Sequence, residues 1–293
     1  MLDIFSIPLP ALFGQLLLGL INGAFYAMLS LGLAVIFGML NVINFTHGAQ
    51  YMLGAFAAWL MLTNLSIPFW ASLVLAPLIV GLFGVVIERL LLKRIYHLDH
   101  LYGFLLTFGL ALVIEGLFQW KWGSSGAPYP APIPGGYNLG FMFMPAYRGF
   151  VVVAALVICL ATWYGIERTR LGAYLRAATE NPTLVRAFGI NVPRLITLTY
   201  GLGVALAALA GVLAAPIQQV SALMGTNLVL VVFAVVVIGG MGSIMGSIVT
   251  GFGLGLIEGF TKVIYPPASN TVIFVVMALV LMVKPAGLFG QTK

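Results

Sequence analysis

Residues 11–40 read ALFGQLLLGLINGAFYAMLSLGLAVIFGML, with no Asp, Glu, Lys or Arg among them. They lie inside a longer charge-free run from Ile4 to Ile87, and a second run extends from Leu195 to Ile257, stopping at Glu258. A domain in water cannot cover such stretches without charged surface, whereas a bilayer requires them. Crossing the hydrocarbon takes about 20 apolar residues, so the first run alone holds several crossings. Composition agrees, with 62% of the chain hydrophobic and 7% charged, values foreign to an ordinary soluble domain. The fold class is therefore all-α: one polytopic transmembrane helical bundle over residues 1–293, with about 8–10 helices at the usual span length.

Working outward, apolar segments fall near 11–40, 49–63, 69–87, 101–118, 149–166, 195–215, 223–240, 244–258 and 271–283. The first is too long for one upright crossing, so it tilts or breaks, with Gly32 and Gly38 as candidate breaks. Several others are short, which suits helices that stop partway and line a cavity. Basic residues set the orientation. Arg89, Lys93 and Arg94, then Arg168, Arg170, Arg176, Arg186 and Arg194, then Lys284 and Lys293 cluster in three regions. The positive-inside tendency makes those regions cytoplasmic. The net charge of +6 thus reflects topology and calls for no nucleic acid. The segment 119–147 is then external, with Trp120, Trp122, Tyr129, Tyr137 and Tyr147 as an interfacial belt and prolines that favour an ordered extended loop. The first ten residues lack a positive n-region, which argues against a cleaved signal peptide. The glycines, 35 in all, read as close helix packing. Phe37-Gly38 followed by Gly48 and Gly54 loosely echoes Ile238-Gly239 followed by Gly246 and Gly251, a possible internal repeat.

Residues 167–194 form the one sizeable polar stretch expected inside the cell, a cytoplasmic coupling loop. Asn181 suits a helix cap, Pro182 the first helical position and Gly189 the left-handed residue past the end. That punctuation predicts a two-turn helix over Pro182–Phe188, marginal alone and in need of a surface. Leu184, Val185 and Phe188 offer apolar surface, and Arg186 with Glu180 offers charge. Docking into a cytoplasmic partner explains such sharply defined ends better than lying on lipid headgroups.

No Gly-x-x-x-x-Gly-Lys-Ser/Thr pattern occurs, so ATP, if it drives the process, is bound by another polypeptide. No metal-ligand spacing and no nucleophile–base pair stand out. The single Cys159 lies in an apolar run and supports neither a disulfide framework nor a thiol metal site. Neither an enzyme nor a cofactor site is expected. Polar residues among apolar helices are the candidates for a substrate pathway: Asn22, Tyr26, Asn44, His47, Gln50 and Thr107. Asn22 and Tyr26 are four apart and share a helical face. His47 reads better as fixing a turn with Asn44 and Gly48 than as a proton shuttle. Glu115, near the external end of its helix, is expected to be met by solvent or Lys121. Glu88-Arg89 reads either as a brace for the coupling loop or as an interfacial ion pair. Gly239, Gly240, Gly242 and Gly246 read either as a hinge or as a tight helical hairpin.

Several stretches together resemble the branched-chain amino acid permeases of ABC importers. They are residues 19–28 (GLINGAFYAM), Asn44-Phe45-Thr46-His47-Gly48 with Met52-Leu53-Gly54, Glu88-Arg89, and Thr107-Phe108-Gly109. Ala177-Ala178 with Gly189-Ile190, residues 239–243 (GGMGS) and 284–290 (KPAGLFG) complete the set. The order is consistent over nearly the whole chain, with departures at Ala49 and at Tyr96–His100. The resemblance implies a multi-pass subunit of the bacterial inner membrane. Its partners would be a paralogous permease, two cytoplasmic ATP-binding subunits, a periplasmic substrate-binding protein and membrane lipid. Branched-chain amino acids are the implied substrates, with urea, short amides or aromatic acids as family alternatives. An ion-coupled secondary transporter is the competing class, disfavoured because both charge-free runs lack the carboxylates that coupling ions use.

Overall fold

The computed structural model describes residues 8–40 and 44–290. The signal-sequence reading of the first residues and the basic Lys293 lie outside them. In chain order the helices are α1 (Leu9–Leu40), α2 (Thr46–Leu65), α3 (Phe69–Leu90), α4 (His100–Trp122), α5 (Ala146–Glu167), α6 (Arg170–Glu180), α7 (Pro182–Ala187), α8 (Val192–Ala214), α9 (Thr226–Gly239), α10 (Ile244–Ile264) and α11 (Val272–Val283). Every apolar segment has its helix. α1, α3, α4, α5, α8 and α10 are long and apolar enough to cross a bilayer, while α9 and α11 are shorter apolar helices.

Contacts sort the helix ends into two sides. At one, Phe13 of α1 packs on Phe141 with ring centroids 5.9 Å apart, and Phe56 of α2 meets Trp122 at the end of α4. Phe69 at the start of α3 meets Tyr147 at the start of α5 on this same side. Here 123–145 runs extended, with a small antiparallel hairpin of β1 (Gly136–Asn138) and β2 (Phe143–Pro145), Tyr137 opposite Met144. Ala127 exchanges backbone hydrogen bonds of 2.9 Å with Val220, beyond α8. The expected ordered loop is therefore present, though α4 continues to Trp122. At the other side the Thr179 hydroxyl donates to the Gly38 carbonyl near the end of α1 (3.4 Å). The basic clusters flanking α3, α5 and α8 fall on this side too, the side expected to face the cytoplasm.

Glycine decides the packing. α1 and α10 run antiparallel so closely that a Cβ built on Gly19 would meet Gly255 and Gly259, and one on Gly23 would meet Phe252. Across α2 and α8, Gly54 faces the Ala208 backbone and Gly211 faces that of Tyr51. Without a hydrophobic drive between helices in lipid, such close approach supplies the dispersion contacts that hold them.

α1 is one unbroken helix. Its 32 residues reach about 48 Å at the ordinary rise, and glycine at 32 and 38 serves approach rather than breakage: Gly32 faces Gly203 and the His47 ring, and Gly38 faces Gly242. α9, with 14 residues, begins inside the bundle, where Gly225 lies against Gly48. The irregular chain leading to it keeps Val220, Ala222 and Met224 buried in protein, the condition under which non-helical backbone survives at that depth. Gly239–Gly246 forms a tight hairpin. Gly240 and Gly242 take φ of 101° and 86°, and the Ser243 hydroxyl caps α10 by accepting from the Gly246 amide at 3.1 Å. The segment after α11 folds back on it, with the Leu288 amide donating to the Ile238 carbonyl at 2.8 Å. In the echoing stretches Gly48 and Gly246 are each the third residue of a helix.

Candidate functional site

The side that holds the basic clusters carries the most sharply built local structure. Asn181 caps α7, its side chain accepting from the Leu184 amide at 3.0 Å. Pro182 opens the helix, and Gly189 closes the turn at φ 81°. A second asparagine, Asn191, caps α8 in the same way, at 3.1 Å from the Arg194 amide. The helix ends at Ala187, one residue short of the expected end. Leu184 and Phe188 are exposed, Phe188 at 77%, and Arg186 is exposed with them.

Val185 departs from the expectation of an outward apolar residue: it is buried. One face of so short a helix must anchor it to its own chain, and Val185 is that anchor. α6 was not foreseen at all. Its Leu175 and Ala178 are buried while Tyr174 is exposed, and Arg176 donates to the Ile166 carbonyl at 3.1 Å. Between this helical pair and the α3–α4 connector lies a cavity of about 440 Å³, with Tyr96, Asp99 and His100 on one wall and Thr179, Pro182 and Arg186 on the other.

The six candidate pathway residues do not share one surface. Asn22 and Tyr26 do lie on one face of α1, where both reach Glu258 of α10: the Tyr26 hydroxyl donates to it at 2.7 Å and the Asn22 amide at 3.5 Å. Lys262 pairs with the same carboxyl. Asn44 and Gln50 join a second group, in which the Asn44 amide donates to Gln50 and the Gln50 amide to the Tyr200 hydroxyl, both at 3.2 Å. Thr107 accepts from the Phe45 amide at 3.2 Å and so ties the start of α2 to α4. His47 goes elsewhere. Its Nε2 donates to the Leu29 carbonyl of α1 at 2.9 Å, and only its backbone amide makes the expected turn with Asn44.

Sequence reasoning missed the partners of these groups. Glu88, Glu115 and Glu258 are all buried, although each stands outside the charge-free runs. Glu115 accepts from Thr226 at 2.7 Å, while Lys121 lies over the Trp122 ring instead of beside it. The Glu88-Arg89 pair is split, with Glu88 turned inward and Arg89 outward. One signal was available: each carboxylate sits inside an otherwise apolar helix, where burial without partners is costly. Replacing Tyr26 by Phe removes the shortest hydroxyl donor to Glu258 and should lower stability by about 1–3 kcal/mol. An unchanged unfolding midpoint in detergent would show that Lys262 and Asn22 satisfy that carboxyl without it.

A family model described as branched-chain amino acid transport system / permease component matches residues 15–283. The high-affinity branched-chain amino acid transport system permease protein BraD of Pseudomonas aeruginosa is 28% identical, over 95% of this chain and 96% of its own length. The corresponding LivH protein of Escherichia coli K12 is 27% identical over the same shares. The ribose import permease protein RbsC of Escherichia coli K12 is 34% identical over 33% of each chain. No solved structure matches the chain.

Proposed function

Because the chain belongs to the family of branched-chain amino acid transport system permease components, we propose that it is the membrane subunit of an ATP-driven importer in the bacterial inner membrane. Its cargo would be leucine, isoleucine, valine or a related hydrophobic amino acid. The observation that carries this reading is α7. A capped helix of six residues is too short to persist on its own, yet it presents Leu184 and Phe188 outward at the cytoplasmic face. Apolar side chains held there by a built scaffold are suited to a groove on a nucleotide-binding subunit. The full partner set is a paralogous permease, two such ATP-binding subunits and a periplasmic binding protein, which would select the ligand. The chain itself carries no nucleotide-binding loop pattern, so hydrolysis belongs to the partner. The ribose permease match covers too little of either chain to redirect the substrate.

Ion coupling was disfavoured because the charge-free runs lack carboxylates. With Glu88 and Glu258 buried just beyond those runs and Glu115 buried within α4, that argument loses its force, and family membership carries the choice instead. Reconstitution separates the two. Leucine uptake into proteoliposomes holding the complete complex should require ATP on the nucleotide-binding side and binding protein on the other. Uptake by this chain alone, driven by a sodium or proton gradient, would overturn the proposal.

A further inference from the structure

Glu88 stands in the last turn of α3 and is 1% exposed. Its two carboxyl oxygens are used separately. One accepts from the Tyr96 hydroxyl at 3.0 Å, and the other accepts from the Thr197 hydroxyl at 2.7 Å. Tyr96 belongs to the connector between α3 and α4, whereas Thr197 belongs to the first turns of α8, which α7 leads into. Burial, reinforced by the Glu88 carboxyl, holds the Tyr96 phenol well above its ordinary range, so it keeps the proton it donates. Among the described residues no lysine or arginine pairs with Glu88; the ion pairs are Arg176–Glu167 and Lys262–Glu258.

An apolar residue of similar volume would fill this place without the cost of desolvating a carboxyl. What the carboxyl adds is a joint between three elements. The connector it fixes forms one wall of the cavity whose other wall is Thr179, Pro182 and Arg186. A push on α7 therefore meets the connector and the start of α8, both tied to the end of α3 through one side chain.

We propose that Glu88 is a positioning residue that joins the α3–α4 connector and α8 into one unit, so that movement of α7 is passed into the transmembrane helices. This inference rests on the reading of α7 as the ATPase contact. Hydrogen-bond geometry is what matters at the joint. Glutamine can serve there, because its oxygen accepts from one hydroxyl while its amide donates to the other, leaving Thr197 to donate to the Pro193 carbonyl it already contacts at 3.0 Å.

The test uses the complete importer in proteoliposomes, measuring leucine transported per ATP hydrolysed. Glu88→Leu should lower that ratio about tenfold, in the ordinary range of coupling between sites, with basal ATP hydrolysis and subunit stoichiometry retained. Glu88→Gln should return it to within about twofold, the mark of a retained hydrogen-bond joint. If Glu88→Leu does not accumulate, the volume-conserving pair Tyr96→Phe and Thr197→Val replaces it, with the same fall expected in the double variant. A normal ratio in Glu88→Leu or in that double variant would overturn the proposal, and so would a Gln variant as impaired as Leu. Phe188→Asp, measured alongside, tells the two claims apart. If it abolishes uptake while Glu88→Leu is normal, only the joint is wrong; if both are normal, the reading of α7 fails as well.

Discussion

Gly255→Ala should destabilise the protein although it adds one methyl group to a helix that intrinsically favours alanine. In an isolated helix the change gains about 1 kcal/mol. Here the new Cβ would be driven into the backbone of Gly19 and Gly23 on α1. Backbone cannot rotate away as a side chain does, so α1 and α10 must separate along their contact. Overpacking typically costs about 1–3 kcal/mol, and the lost approach along the antiparallel pair places this substitution at the upper end. Gly253, on the same helix, has no atom within 4 Å of its built Cβ, so Gly253→Ala should be neutral or slightly stabilising. Unfolding midpoints of both variants in one detergent read the difference. Equal midpoints would show that the two helices are not in backbone contact.

Gly189→Pro should abolish uptake while leaving the protein inserted and assembled. At φ 81° the position is closed to proline, whose ring holds φ near −65°. The Gly189 amide also donates to the Arg186 carbonyl at 2.9 Å, a bond proline cannot make. Space is not at issue, since nothing lies within 4 Å of a Cβ built there. The damage is thus confined to the turn that aims Phe188. Gly189→Ala keeps the amide and pays only the left-handed cost of about 1–2 kcal/mol, so it should show a partial loss. Uptake and basal ATP hydrolysis in membrane vesicles check both, and full uptake by the proline variant would contradict the docking role of α7.

What the amino-acid sequence made legible was whatever is encoded locally. Charge-free runs located the helices, and Asn181, Pro182 and Gly189 marked α7 to within one residue. What stayed hidden was which helix meets which, and on which face. Helices apolar on every side carry little directional pattern, so nothing in residues 244–264 announced that Glu258 faces Asn22 and Tyr26. The same blindness split the pathway candidates, since His47 and Gln50 lie three apart yet bond to α1 and α8 respectively. α6 went unread for a different reason. Its arginines suggested a solvated loop, whereas Leu175 and Ala178 are buried beside the membrane helices. Val185 could not be told from Leu184 by residue type; only the position of the chain beneath it decides which one is covered.

The central claim is that α7 is the surface through which nucleotide hydrolysis is felt. A photoreactive residue at Phe188, the most exposed apolar position of that segment at 77%, reports its neighbour in native membranes containing the whole importer. The expected product is a crosslink to the ATP-binding subunit that changes in yield when ATP is trapped in the complex. A product with lipid alone, unchanged by nucleotide, would contradict the account.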